Sequence, residues 1–243
     1  MAMVEFYDLH CHFLPGMDDG CQSAEESVSL LEEQYRQGCR GVAATPHYYA
    51  VESIDDFLSR RRQAAGRLLA ALQARKPAPA IPAICFGAEV AFRESLEADG
   101  KLERLCYGRS RYLLLEMPFT PWTDRTVRSV ERIISIAGIT PVIAHIERYT
   151  EIADQCYINA LMDLNVLVQL NAENFAGGSK ERKAMRMIRE GDIQILGTDS
   201  HNMTSRPPNM EKAIGSLEQH RMGAELETIL QANEVVFRTA MGV

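Results

Sequence analysis

Histidine and carboxylate side chains recur in this chain at spacings that suit a shared cation. Asp8-Leu9-His10-Cys11-His12 closes an apolar run, and Asp18-Asp19-Gly20 follows a few residues on. In a strand, residues i and i+2 point to one side, so the imidazoles of His10 and His12 converge while Cys11 points away. Neutral imidazole is a common metal ligand, although a pair of surface histidines explains these two equally well. Asp18-Asp19-Gly20 reads as a turn that also offers a carboxylate, Asp19. His47 follows Pro46, which biases Thr45 toward extended backbone; alone it is more often structural.

Glu89 sits between Ala88 and Val90 in an apolar segment. A carboxylate is costly there unless it is paired or bound to metal, and its two oxygens suit a bridge between two cations. His145 opens His145-Ile146-Glu147-Arg148, and Asp199 and His201 repeat the i, i+2 spacing after Gly197-Thr198. Together, His10, His12, Asp19, His47, Glu89, His145, Asp199 and His201 exceed what one ion takes from protein. Two or three divalent ions are expected. Mixed nitrogen and oxygen donors without thiolate suit manganese, iron, zinc or magnesium, and the donor types do not choose among them.

These residues need elements to position them. Short apolar runs at Val4–Leu9, Gly41–Thr45, Ala83–Ala88, Tyr112–Glu116, Pro141–His145, Val166–Leu170 and Ile193–Gly197 read as strands buried on both faces. Helices are expected from Ser23, with Glu26 completing a capping box, to Gly38, and from Ser53 to about Arg75. Others run from Thr123 to Gly138 and from Ser179 to Gly191, and one helix or a pair lies between Asn209 and Gln231. Seven strands alternating with helices make an α/β fold, a parallel barrel or open sheet. Its functional face lies at the carboxyl ends of the strands. Five of the six histidines fall at or just past such ends, which scattering at random would rarely produce.

The bulk numbers narrow the classes. With 46% hydrophobic and 24% charged residues the chain is ordinary for a soluble globular protein, and nothing divides residues 1–243 into more than one domain. A net charge of −7 with no basic patch argues against a nucleic-acid partner. The six cysteines form no Cys-x-x-Cys pair and read as reduced thiols, hence a cytoplasmic protein. Met1 to His10 has no basic stretch followed by an apolar core, and no run of 18 apolar residues exists, so neither a leader nor a membrane span is expected. Oligomerisation stays open.

His-Cys-His-x5-Asp-Asp-Gly, Ala-Thr-Pro-His, Gly-Ala-Glu-Val, His-x-Glu-Arg and Asp-Ser-His-Asn together resemble the PHP (polymerase and histidinol phosphatase) superfamily. The likeness is greatest to its bacterial tyrosine-protein phosphatases of capsule and exopolysaccharide synthesis. Asp8-Leu-His-Cys-His-Phe-Leu-Pro-Gly-Met-Asp-Asp-Gly20 is the most specific segment, and the motifs run from Asp8 to Arg206. The resemblance implies a single distorted (β/α)7 barrel with a trinuclear centre. His10, His12, Glu89 and Asp199 would hold one ion, Glu89, His47 and His145 a second, Asp19 and His201 the third. It implies phosphate-binding roles for Arg148 and Arg206 and a strand-end carboxylate near the site in Glu116. The chain departs from the family in having Ile146 where proline is usual, and it ends at Val243 without the basic tail some relatives carry.

The expected activity is metal-dependent hydrolysis of phosphotyrosine on a protein tail, with a bacterial tyrosine kinase as partner and His201 or a water as proton donor. A cysteine-based tyrosine phosphatase is excluded, because the residues six after each cysteine are Met17, Ser27, Thr45, Ala91, Tyr112 and Met162, none of them arginine. The alternatives are another PHP phosphoesterase, such as histidinol phosphatase, or a non-catalytic metal-binding regulator. An amidohydrolase would need a lysine at a middle strand end, where this chain has glutamates, and a nuclease is disfavoured by the acidic charge. Phe13, Tyr48 and Tyr49 are expected either to flank the mouth or to pack the barrel rim.

Overall fold

Strand-forming apolar runs alternate with amphipathic helices, and every strand pairing is parallel. The computed structural model describes residues 4–243; Met1–Met3, where the segment read above for a leader begins, lie outside them. The strands are β1 (Phe6–Cys11), β2 (Cys39–Ala44), β3 (His47–Tyr48), β4 (Ala83–Phe86), β5 (Glu89–Ala91), β6 (Tyr112–Glu116), β7 (Thr140–Ile143), β8 (Leu167–Asn171) and β9 (Ile195–Gly197). They form a sheet β1-β2-β4 and a second sheet β3-β5-β6-β7-β8-β9.

Two of the seven expected runs, Gly41–Thr45 and Ala83–Ala88, are each followed by a further short strand that was not foreseen. β2 passes into β3 through Thr45-Pro46, and β4 into β5 through Gly87-Ala88. Pro46 has no N–H to give the ladder, but its carbonyl still accepts from Glu89 N at 3.1 Å, and Gly87 N reaches Ala44 O at 2.8 Å. The course of the wall is therefore kept across the break. The barrel closes between β9 and β1: Cys11 bridges Ser200 in parallel, Asp199 N donates to His10 O and His12 N to Ser200 O, both at 2.8 Å. Buried Asp8 reinforces the seam by accepting from Thr198 N at 3.0 Å, Thr198 Oγ1 at 2.5 Å and Gln34 Nε2 at 2.6 Å.

The helices are α1 (Ala24–Arg36), α2 (Ile54–Ala74), α3 (Asp124–Ala137), α4 (Gln155–Met162), α5 (Gly178–Glu190), α6 (Met210–Gln219) and α7 (Gly223–Met241). Ser23 and Ser53 cap α1 and α2 by accepting from Glu26 N and Asp56 N, and Thr123 makes a reciprocal capping box with Thr126. Three expectations need correction. Ser179 does not cap α5 but lies in its first turn, since the chain enters through Gly177, whose φ of 93° suits a residue without Cβ. α4 was not foreseen, and the last helix runs on to Met241. α7 fastens the barrel from below. Asn233 Nδ2 donates to Tyr7 O at 2.8 Å and to Leu196 O at 2.6 Å, tying β1 to β9 a second time.

Candidate metal centre

The carboxyl ends of the strands carry the polar residues of an otherwise apolar interior. His10, His12, Glu89, His145, Asp199 and His201 are all buried. His10 is the last inward residue of β1, Glu89 opens β5, and His47 opens β3 directly opposite it in register. His145 and Asp199 follow β7 and β9 in left-handed backbone, with φ of 32° and 53°. Such conformations are unfavourable for non-glycine residues and are held here by the surrounding structure. Asp18-Asp19-Gly20 folds back onto the end of β1, where a Cβ on Gly20 would stand 2.0 Å from His12 O. No other residue fits that turn.

The innermost atoms are a nest of four. His10 Nε2 lies 3.2 Å from His12 Nε2, 3.3 Å from Glu89 Oε2 and 3.3 Å from Asp199 Oδ1. His12 Nε2 is 3.3 Å from the same Glu89 oxygen and 3.5 Å from the same Asp199 oxygen. What faces the other ring nitrogens decides the nature of this nest. His10 Nδ1 faces Gln169 Oε1 at 3.2 Å, and His12 Nδ1 faces Asp18 Oδ2 at 2.8 Å. Both partners only accept, so both Nδ1 atoms carry protons and both Nε2 atoms turn inward. Two imidazole nitrogens and two carboxylate oxygens thus face one another with no protein donor between them except a further proton on an imidazole. Four ligands at about 2.0–2.1 Å from a tetrahedral ion stand roughly 3.4 Å apart, close to the spacing found. The donor set fits a divalent cation.

Two further groups adjoin the nest. His47, Glu89 and Glu116 bring donor atoms within 4.8 Å of one another, as do His12, Asp19, His47 and His201. His47 Nδ1 approaches Glu89 Oε2 to 3.0 Å, yet both atoms are buried without a hydrogen-bond partner, as is His201 Nε2. The first two are close without hydrogen-bond geometry between them. His145 Nε2 meets Glu89 Oε1 at 2.9 Å and Glu116 Oε1 at 3.6 Å. Asp19, 65% exposed at its side chain, sets Oδ1 3.3 Å from both His47 Nε2 and His201 Nε2. Glu89 touches the first two groups, as a bridging carboxylate must. Glu116 thus stands beside His47 and Glu89, and His12 and His47 stand beside Asp19 and His201.

Electrostatics follow from this crowding. Burial would raise the Asp199 carboxyl, but His10, His12 and Arg206 outweigh it and hold it well below the usual range. Burial and then the Glu89 charge push Glu116 up to about 7. Burial and the His12 charge bring His201 down to about 4, and its Nδ1 is committed to Asp199 O at 2.9 Å.

Arg148 and Arg206, expected at a phosphate, converge on the outer oxygen of Asp199. Their Nη2 atoms donate to Oδ2 at 2.7 Å and 2.5 Å, and Asn171 Nδ2 adds a third bond at 2.9 Å. Asp199 therefore joins the two layers, with Oδ1 in the nest and Oδ2 under the arginines. Sequence reasoning missed Asp18, Gln169 and Asn171 as positioning groups. Gln169 Oε1 also accepts from His145 N at 2.8 Å, and its Nε2 donates to Asn171 Oδ1 at 2.8 Å. Two amides at i and i+2 in the apolar run of β8 were the available signal. Of the three aromatic residues expected to flank the mouth or to pack the rim, Phe13 and Tyr48 are core residues, 0% and 2% exposed, and Tyr49 is exposed. Five of the cysteines are buried and only Cys156 is exposed.

A family model for capsular polysaccharide synthesis proteins, CpsB/CapC, matches residues 6–237. The chain belongs to the CpsB/CapC family. It is 33% identical over 217 residues to the tyrosine-protein phosphatase CpsB of Streptococcus pneumoniae, covering 85% of this chain and 87% of that one. It is 30% identical over 243 residues to the tyrosine-protein phosphatase YwqE of Bacillus subtilis, covering 93% and 89%. A solved structure from work on those two proteins, described as metal-dependent tyrosine phosphatases, superposes with a TM-score of 0.80 at 26% identity, covering 96% of this chain and 94% of that one. The phosphotriesterase homology protein of Escherichia coli matches at a TM-score of 0.51 and 13% identity over 96% and 98% of the two chains, a likeness of fold alone.

Proposed function

We infer that this CpsB/CapC family member is a metal-dependent protein-tyrosine phosphatase acting in capsule or exopolysaccharide synthesis, with a phosphotyrosine-bearing tail of a bacterial tyrosine kinase as substrate. The observation that carries the reading is the nest of His10, His12, Glu89 and Asp199, whose inward atoms stand 3.2 to 3.5 Å apart directly beside two arginines. Two or three divalent ions, manganese by preference, would supply Lewis acidity and a water acidic enough to attack near neutral pH. His10, His12, Asp19, His47, Glu89, His145, Asp199 and His201 are assigned as their ligands, with Glu116 adjoining.

Arg148 and Arg206 bind the phosphoryl oxygens. Each guanidinium commits one Nη2 to Asp199 and is about a third exposed, leaving donors in a planar fork that suits phosphate. Asp199 holds both forks on one oxygen beside the nest. His201 has its Nδ1 proton committed to Asp199 O and its Nε2 among the assigned ligands, so a water is assigned proton delivery to the leaving phenolate. A phenol of pKa about 10 leaves readily, so the demand on that proton is small. Residues 1–243 are read as one phosphoesterase domain and the protein as cytoplasmic; no helix among the described residues is long and apolar enough to cross a membrane. Histidinol phosphatase activity, which shares nearly all these ligands, has no relative among those above to favour it.

The test is a substrate panel on purified protein reconstituted with manganese: a phosphotyrosine peptide, histidinol phosphate and an oligonucleotide. Preferential turnover of the peptide, abolished by chelation and restored by metal, is expected. Full activity after exhaustive metal removal, or far faster turnover of histidinol phosphate, would displace the reading.

A further inference from the structure

In the Asp199-Ser200-His201-Asn202 segment the first and third residues are assigned ligands, and the second bridges Cys11 at the seam. Asn202, half-buried, faces along its own chain. Its side-chain oxygen accepts from the backbone N–H groups of three consecutive residues, Thr204 at 2.9 Å, Ser205 at 2.8 Å and Arg206 at 3.2 Å. The hydroxyls of Thr204 and Ser205 stand 3.0 and 3.3 Å from the same oxygen. Short amide side chains favour such local bonds to the backbone. The chain then returns on itself, because Arg206 O accepts from His201 N at 2.9 Å and Asn202 N at 3.3 Å. Residues 201–206 thus make a closed loop around one amide oxygen, and Arg206 closes it with both its N–H and its carbonyl.

That closure matters because the two arginines beside the nest are mounted differently. Arg148 ends a tight turn, Ile146–Arg148, that follows β7 directly, and its N donates to His145 O at 3.0 Å. Arg206 instead leaves a loop whose residues Met203, Thr204 and Ser205 are exposed. Beyond it, Pro207 biases the Arg206 backbone toward extended geometry, and Pro208 O accepts from Gln37 Nε2 at 2.9 Å, which anchors the exit to the end of α1. At the entry the loop is fastened through Asn202. An arginine loses rotamer freedom when it grips a phosphoryl group, and a loop that was also free would add backbone entropy to that loss.

We propose that Asn202 is a positioning residue for the Arg206 guanidinium: by tying Thr204, Ser205 and Arg206 to one oxygen, it fixes the loop before a phosphoryl group arrives. The task of Arg206 rests on the phosphatase reading; the pinning of the loop does not.

The experiment measures amide hydrogen exchange at Thr204, Ser205 and Arg206 in metal-free protein, and calorimetric binding of inorganic phosphate to the manganese-loaded protein. Asn202→Ala should speed exchange at the three amides about tenfold or more and weaken phosphate about tenfold, with manganese content unchanged. In an Arg206→Ala background the same change should cost little phosphate affinity, whereas in an Arg148→Ala background it should cost the full factor. Asn202→Ser, whose hydroxyl accepts in such turns more weakly, should recover part of the loss. Slow exchange retained in Asn202→Ala, an equal loss of phosphate affinity in the Arg206→Ala background, or manganese lost together with phosphate overturns the role. A protein that follows the expected pattern but hydrolyses no phosphotyrosine peptide would keep the positioning role and retire the phosphatase reading. One that hydrolyses the peptide while its Asn202→Ala variant keeps full phosphate affinity would do the reverse.

Discussion

Tautomer control is the main work of the residues that surround the cluster. Gln169 Oε1 and Asp18 Oδ2 fix the Nδ1 protons of His10 and His12, and Asp199 O does so for His201. Removing the acceptor but keeping the shape is the cleanest probe. Gln169→Met should lower metal affinity about 10- to 100-fold with the fold intact, whereas Gln169→Glu should retain most of it, as read by competition with a chelating dye. Equal affinity in Gln169→Met would show that the ring is oriented by something else. The charge state of His12 gives a second prediction. Burial alone would lower its pKa, but Asp18 and Glu89, by hydrogen bond and by charge, together raise it to about 10. The folded value exceeds the ordinary 6.5. In metal-free protein this stabilisation is therefore complete below about 6.5 and lost as pH rises through 10. The extra proton sits on Nε2, the atom assigned to the metal. Loading near neutral pH should then release at least one proton, and calorimetric heats should depend on the buffer's ionisation enthalpy. Buffer-independent heats would contradict the assignment. The histidines, Glu89 and Asp199 were legible in the sequence because imidazole and carboxylate are rare at the ends of apolar runs. Gln169 and Asp18 were not, since an amide or the first half of an Asp-Asp pair acquires its role only when a distant strand arrives beside it.

Elements bring the ligands together through one seam and two breaks. Strands can be read from apolar runs, and Tyr112–Glu116 is found where expected, but β1 runs on to Cys11: His10 reads as an end when its burial makes it an interior residue. The breaks at Pro46 and Gly87 had local signals whose effect depends on the neighbouring strand, because each half finds its hydrogen bonds in a different sheet. α4 escaped notice for a simpler reason. Eight residues with no side-chain cap carry too little periodicity to stand out. The seam between β1 and β9 rests on Asp8, buried beneath the site and bonded to Thr198 by both backbone and side chain. Thr198→Val keeps the volume and deletes the hydroxyl donor, leaving the carboxylate short of a partner. The cost should be about 1–3 kcal/mol, seen as a lower urea midpoint with unchanged slope in metal-free protein, and Thr198→Ser should recover most of it. An unaltered midpoint in Thr198→Val would mean that the ladder and Asn233 close the barrel without it.

At the scale of the molecule, the assigned ligands come from β1, β3, β5 and the turns after β1, β7 and β9, segments separated by most of the chain length. Folding buries two carboxylates of this set, Glu89 and Asp199, with Glu116 and the exposed Asp19 close by, in a chain whose net charge is already −7. Hydrogen bonds from Arg148, Arg206 and Asn171 to Asp199 offset part of that repulsion, but Glu89 Oε2 and His201 Nε2 remain buried and unbonded within the protein. A cation bound by the folded chain and not by the unfolded one would be coupled directly to stability. At a free concentration a hundred times its Kd, each such ion contributes about 2.7 kcal/mol, and for a chain of this size that corresponds to roughly 5–11 °C in Tm. Exhaustive chelation should therefore lower Tm by at least several degrees, and manganese but not sodium should restore it. Glu89→Gln separates the two contributions. It relieves charge repulsion in metal-free protein, so its Tm should be equal to or above that of the unmodified metal-free chain, yet it should gain much less on adding manganese because the bridging oxygen has lost its charge. A variant that gained as much as the unmodified protein would place the ions elsewhere, and Glu89 would then be a carboxylate buried for its hydrogen bond to His145 alone.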